Sequence, residues 1–262
     1  MFDSHCHLTF PEFRGRLDAI MASARSAGVY GAITVSTSTS DAVRSLELAK
    51  THSDLWCTAG VHPLHSDEPI AWDEMRRCGL DAKCVAWGEL GLDNHYDRPP
   101  QAQQRSVLDA QLAVICDWRR QGIEKPIVIH CREAFDDLVP VLAATGLPAD
   151  RFVFHCFTGT ADEARRVLDF GAWISFTGVV TFRNAKSVAE AAQLVPRDRM
   201  MVETDAPFLT PDPLRTVRPN EPRYIPHIVQ RLAELRREES AACAEQLDLN
   251  TERFFGLSIR RS

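Results

Sequence analysis

The sequence predicts an α/β protein folded as one (β/α)8 barrel, a TIM barrel. Three observations carry that prediction. Eight short apolar, β-branched stretches recur along the chain, segments of helical periodicity lie between them, and the length is 262 residues, close to the roughly 250 that such a barrel takes. A doubly wound open sheet is the structural rival. No low-complexity segment and no Gly/Ser linker interrupts the pattern, so 1–262 reads as a single domain.

The strands fall at 1–6 (MFDSHC), 31–37 (GAITVST), 55–61 (LWCTAGV), 84–90 (CVAWGEL), 126–131 (PIVIHC), 151–156 (RFVFHC), 172–177 (AWISFT) and 199–204 (RMMVET). Between the first two, RLDAIMASARSA at 16–27 has a helical repeat and runs into Gly28, a helix stop. DAVRSLELAK at 41–50 follows Ser40, read as its N-cap. The longest helix, 101–121, also runs into a glycine, Gly122. Thr160 followed by Glu163 makes a capping box ahead of EARRVLDF.

Composition narrows the class. The chain is 45% hydrophobic and 25% charged, ordinary for a globular protein. No apolar run approaches the about 18 residues of a membrane span, and the start lacks the basic flank and apolar run of a secretory signal. The expected compartment is the cytoplasm. The eight cysteines are scattered without a C-x-x-C pair, which speaks against a disulfide scaffold or a zinc finger. Net charge is −6 and the pI about 5.9, so no basic face for long duplex DNA is expected. A nucleic acid would be held through short, local contacts. Nothing marks a membrane or an obligate protein partner.

The polar residues fall in one kind of place. Asp3, His5 and His7 alternate along the first strand and form a polar row, with Phe2 and Leu8 facing the other way. The third strand runs into His62, the fourth reaches Glu89, the fifth His130 and the sixth His155, and the eighth carries Glu203 and Asp205. The second and seventh end in the hydroxyls Ser36 and Thr177. Val128, Val153 and Trp87 precede His130, His155 and Glu89 by two positions, so a packed interior is expected below the polar ring. His52, His65, His95 and His227 lie in helices or loops and read as ordinary, although His65 is near His62. In a barrel the C-terminal strand ends converge on one rim, where active sites sit. Burying so many unpaired polar groups there without a ligand would cost free energy.

Imidazoles with carboxylates suit zinc, manganese or iron better than calcium. The groups are too many for one four-coordinate site, and two divalent cations sharing a carboxylate account for them better. The first ion would take His5, His7, Glu89 and Asp205; the second would take Glu89, His130 and His155. Such a pair acidifies water and neutralises charge growing on a reacting oxygen. Asp205 then accepts the water proton, and Glu203 orients an imidazole.

These residues resemble the TatD family of metal-dependent deoxyribonucleases, among the amidohydrolase-like barrels. The similarity runs through DSHCHL, GVHP, WGELGLD, IHCRE, FHCFTG, SFTGVVTF (175–182), ETDAPFL, PNEP (219–222) and LNTERFF (249–255). It implies hydrolysis of DNA phosphodiesters, with the family's ligand pattern on His5, His7, Glu89, His130, His155 and Asp205. It implies Asp205, Glu89 and His62 as catalytic residues, with His62 and Arg132 on the substrate phosphate. Zinc, manganese and magnesium are the candidate ions. The loop reads GVHPLH where the family often has GVHPH, which leaves His62 in register and His65 out of it. The expected substrate is short or single-stranded DNA, cut from single-stranded or frayed ends. A metal-dependent ester or amide hydrolase (a deacylase for a small molecule or aminoacyl-tRNA) and a non-catalytic binding barrel are the alternatives. Tyr96, Phe157 and Phe208 on rim loops are candidates to stack a base, with loop packing the alternative.

Overall fold

In the computed structural model, which describes residues 1–258, the alternating stretches pair in chain order. Among these residues eight parallel strands form one sheet: β1 (Asp3–Cys6), β2 (Ala32–Thr34), β3 (Leu55–Ala59), β4 (Cys84–Asp93), β5 (Ile127–Arg132), β6 (Phe152–Phe154), β7 (Trp173–Phe176) and β8 (Met200–Val202). The ends of the sheet meet just beyond β1 and β8. His7 N donates to Ala206 O at 2.7 Å and Asp205 N to His5 O at 2.9 Å. That seam closes the barrel and rules out the open sheet.

Helices follow the strands: α1 (Leu17–Ser26), α2 (Thr39–Lys50), α3 (Trp72–Leu80), α4 (Gln101–Arg120), α5 (Phe135–Ala144), α6 (Ala161–Phe170), α7 (Lys186–Leu194), α8 (Ile225–Arg236) and α9 (Ser240–Phe255). The capping box on α6 is formed, with Thr160 Oγ1 accepting from Glu163 N at 3.3 Å and Glu163 Oε2 accepting from Thr160 N at 2.6 Å. The cap of α2 is Ser38, not Ser40. The Ser38 hydroxyl accepts from Asp41 N at 3.3 Å, and Ser40 falls inside the first turn. Three hydroxyl residues in a row (Ser38, Thr39, Ser40) each suit the cap, and the loop from β2 settles the choice. No helix among the described residues is long and apolar enough to cross a membrane.

Strand side chains divide between two buried clusters. One joins the strands to the helices and holds Cys6, Leu55, Ile127, Ile129, Phe152 and Phe154. The other holds Ile33, Val85, Val128, Val153 and Met201 with Phe2, and α9 contributes Phe254 and Phe255. This second cluster fills the barrel, and α9 plugs it from below. Val128 and Val153 therefore sit beneath His130 and His155 as the alternation predicts.

Two expectations fail on the same ground. Trp87 does not lie beneath Glu89: its indole packs among the helices, 4.7 Å from the ring of Trp118. The β4–β5 ladder shifts register between Trp87 and Leu90, so strict alternation breaks there while Glu89 still faces the mouth. In β1 the register shifts between Asp3 and Cys6. Asp3 leaves the polar row and accepts from Thr204 N at 2.9 Å and Thr204 Oγ1 at 2.5 Å. Phe2 joins the barrel filling, whereas Leu8 joins the helix-facing cluster.

The outward Trp87 explains Gly79 in α3. A Cβ there would meet the indole at 1.9 Å, and the ring is wedged against Trp118. Gly79→Ala gains helix propensity of about 1 kcal/mol but overpacks a closed site at a cost of about 1–3 kcal/mol or more. A lowered midpoint in thermal denaturation is expected, and an unchanged or raised midpoint would contradict this packing.

Candidate metal centre

Glu89 reaches the mouth because the backbone around it is bare. Its neighbours Gly88 (φ +133) and Gly91 (φ +154) hold conformations that side chains resist, and a Cβ on Gly91 would stand 1.9 Å from His130 O. β4 and β5 thus approach closely enough to bring Glu89 and His130 into contact.

The two oxygens of Glu89 face different partners. On the Oε2 side, His5 Nε2 is 3.4 Å away and His7 Nε2 3.8 Å. Those two nitrogens are 3.3 Å apart, and Asp205 Oδ1 lies 3.7 Å from His5 and 3.3 Å from His7. On the Oε1 side, His130 Nδ1 and His155 Nε2 are each at 2.6 Å, with 3.4 Å between them. A tetrahedral site with bonds of about 2.0–2.1 Å has donor–donor edges of about 3.3–3.4 Å. The first set has nearly that spacing, and its donor types suit a borderline divalent cation, so the residues fit such an ion.

The far side of each ring decides which nitrogen offers a lone pair. His7 Nδ1 is 2.9 Å from Val35 O, so it donates there and leaves Nε2 bare. His130 Nε2 is 3.1 Å from Asp93 Oδ2, which leaves Nδ1 bare. His155 Nδ1 faces Glu203 Oε1 at 3.3 Å. Glu203 is itself fixed by Ser175 Oγ at 2.7 Å and Cys156 N at 2.6 Å. His5 and His155 stack face to face, ring centres 3.9 Å apart.

His62 sits beside the second set, with Nε2 3.1 Å from His130 Nδ1 and 3.4 Å from Glu89 Oε1. Its Nδ1 accepts from Leu64 N at 3.0 Å, so in the neutral ring the proton is on Nε2. Burial, with the neighbouring His130 adding to it, pushes His62 down to about 4 against the pull of Glu89. It is a neutral donor aimed into the mouth.

Charge in this cluster opposes burial. Burial alone would push Glu89 up, but the charge of His155, that of His62 at the low pH where its ring is protonated, and the bonds from His130 and His155 hold it well below the usual carboxylate range. Asp205 is lowered in the same way, burial being outweighed by its bond to His7 and by the nearby imidazoles. Burial lowers His7, His130 and His155, yet their carboxylate partners leave all three raised. His5, with burial and His155 against it, is lowered.

The cluster floors a cavity of about 720 Å³ whose walls include Arg132, Tyr96, Phe10 and Phe208. The Arg132 guanidinium lies 5.1 Å over the ring of Tyr96. Tyr96 and Phe208 are 47% and 48% exposed, whereas Phe157 is 1% exposed and packs on Phe135 and Phe176. Phe157 is core and drops out as a stacking candidate. His65 turns to Glu68 at 2.6 Å and His95 to Glu133 at 2.9 Å.

Asp93 is the residue that sequence reasoning missed. It follows Glu89 by two alternations in WGELGLD, the spacing that puts both on one strand face. Ending the strand at 90 hid it; β4 in fact runs on to Asp93, paired with Arg132.

The family model described as TatD related DNase matches residues 2–256. The 3'-5' ssDNA/RNA exonuclease TatD of Pantoea ananatis is 37% identical, over 98% of this chain and all of that one. A metal-dependent hydrolase of Bacillus subtilis, YabD, described as uncharacterized, is 33% identical over 98% of this chain and all of its own. The crystal structure of YJJV, a TatD homologue from Escherichia coli, superposes with a TM-score of 0.91 at 30% identity, covering 98% of both chains. Full-length agreement in sequence and in fold places this chain in the TatD-related DNase family of metal-dependent hydrolases.

Proposed function

We propose that this protein is a divalent-cation-dependent exonuclease that removes nucleotides from single-stranded or frayed DNA ends. The carrying observation is the division of Glu89, one oxygen toward His5, His7 and Asp205 and the other toward His130 and His155. The names of the full-length relatives support the single-stranded substrate. The first donor set has nearly the spacing of a divalent site. The second, whose imidazoles hydrogen-bond Glu89 Oε1 at 2.6 Å, offers the same donor types. Two ions held there would supply an acidified water and neutralise charge on the phosphate.

The chain's own groups divide the remaining work. Asp205, whose side chain is 14% exposed against 2% for Glu89, is the open carboxylate and takes the proton of the attacking water. His62 donates its Nε2 proton to a phosphate oxygen; with Nδ1 filled by Leu64, it serves neither as ligand nor as base. Among the described residues Arg132 meets no carboxylate at ion-pair distance, and it can grip phosphate oxygens through its fork. Asp93 and Glu203 hold His130 and His155 in orientation. Tyr96 and Phe208 offer ring faces to bases.

Three outcomes are expected. With manganese or magnesium, purified protein shortens a labelled single-stranded oligonucleotide, chelation stops it, and His130→Ala and Asp205→Ala abolish it; an intact substrate under those conditions would overturn the assignment. Asp93→Asn leaves the fold but frees the His130 ring, and metal affinity by calorimetry should fall about 10–100-fold; wild-type affinity would contradict the orienting role. Because His7, His130 and His155 are raised while no ion is bound, each must shed its proton to ligate. Metal affinity should therefore rise as pH increases through those raised values, with proton release seen as buffer-dependent binding heat. A flat profile across that window would show that these rings are not ligands.

A further inference from the structure

The mouth of the barrel is electrically lopsided, which the net charge of −6 conceals. The loops after β3 to β6, with the helix starts they feed, carry Asp67, Glu68, Asp97, Glu133, Asp136 and Asp162 among their acids. Arg166 and Arg165 pair with Asp136 and Asp162, and His65 and His95 with Glu68 and Glu133. That leaves Arg98 and Arg132 as the cations of these loops outside an ion pair among the described residues. The opposite lip reverses the sign. The segments after β7 and β8 carry Arg183, Lys186, Arg215 and Arg218, all exposed. None of the four lies within ion-pair distance of a carboxylate among the described residues. Apart from Glu203 and Asp205 in the metal centre, the acids between β8 and α8 are Asp212 and Glu221, and Glu221 is taken by Arg16 and Arg223.

These cations stand on one firm ridge. Thr181 Oγ1 accepts from Asp212 N at 2.8 Å, and a Cβ on Gly178 would touch Leu209 O at 2.0 Å, so the two loops are packed together. The Arg215 guanidinium lies 3.7 Å over the Phe182 ring. Arg218 Nη1 donates to Thr210 Oγ1 at 3.0 Å and Val217 O at 2.9 Å. The ridge is continuous with the cavity, since Val179, Phe208 and Leu209 line its wall.

A single strand whose end sits in the metal centre must lead its remaining phosphates out over some part of the rim. The β3–β6 side holds most of its charge in ion pairs of its own, whereas the β7–β8 lip offers unneutralised cations beside an exposed aromatic ring, the pairing on which single strands are held. We propose that the strand leaves over the β7 and β8 loops, its phosphates along Arg183, Lys186, Arg215 and Arg218 and a base on Phe208. This track rests on the exonuclease assignment above and extends contact well beyond the short, local grip that the overall charge suggested.

The test compares a dinucleotide with a single strand of about twelve nucleotides, using wild type and the double variant Arg183→Ala/Lys186→Ala. Both side chains are free of ion pairs, so thermal stability should not move. With four phosphate contacts, affinity for the longer strand falls roughly 50-fold between about 50 and 200 mM salt, and roughly sevenfold once two contacts are removed. The variant should show that shallower slope and a raised KM on the longer strand, with dinucleotide turnover unchanged. Arg183→Lys/Lys186→Arg should restore the wild-type slope. If the variant matches wild type on the longer strand, the track is overturned and the exonuclease stands. If wild type cleaves neither substrate, both fall.

Discussion

Glu89 sets the terms for everything at the mouth of this barrel. A carboxylate so deeply buried is stable as an anion only if positive charge or bare donors surround it. Here His5, His7, His62, His130 and His155 ring it. Their positions follow from the strands, and the strands reach the right spacing because Gly88 and Gly91 let β4 lie close against β5. Filling either position with a side chain would push apart the two groups that the site most needs together.

Around that carboxylate, a further layer of hydrogen bonds fixes protons rather than shape alone. Val35 O and Asp93 each occupy the outer nitrogen of a ring, leaving the inner nitrogen of His7 and His130 bare. Leu64 N does the opposite to His62, filling its lone pair and turning the inner nitrogen into a donor. Chemically identical imidazoles therefore present different faces to the mouth, a bare nitrogen on His7 and His130 and an N–H on His62, through backbone and carboxylate partners on the other side of each ring. The same logic makes Glu203 more than packing: with Ser175 and Cys156 N it holds a negative charge behind His155.

Much of this was legible in the chain. Eight apolar runs alternating with helical segments, in a chain of barrel length, pointed to the barrel, and the seam between β1 and β8 separates it from an open sheet of the same alternation. Imidazoles and carboxylates at the strand exits marked the mouth because the fold brings those exits together. What stayed hidden depends on register. A shift within β4 sends Trp87 to the helices and leaves no signature in hydrophobic periodicity, whereas the run on to Asp93 is written in the alternation of Leu90 and Leu92 with Glu89 and Asp93 and is lost by ending the strand at 90. A similar irregularity in β1 gives Asp3 to Thr204. Ser38 takes the cap of α2 from Ser40 because adjacent hydroxyls are equivalent until the loop is built. The sign of the rim was hidden for another reason: net charge sums over the surface, whereas a polynucleotide meets only one lip of it.

The central claim is that Glu89 is shared, one oxygen to each of two cations. Anomalous diffraction from crystals grown with manganese or zinc addresses it directly. The account predicts two anomalous peaks per chain, one among His5, His7 and Asp205 and one between His130 and His155, with the Glu89 carboxylate between them. A single peak, or two peaks with Glu89 turned away from either, would contradict it.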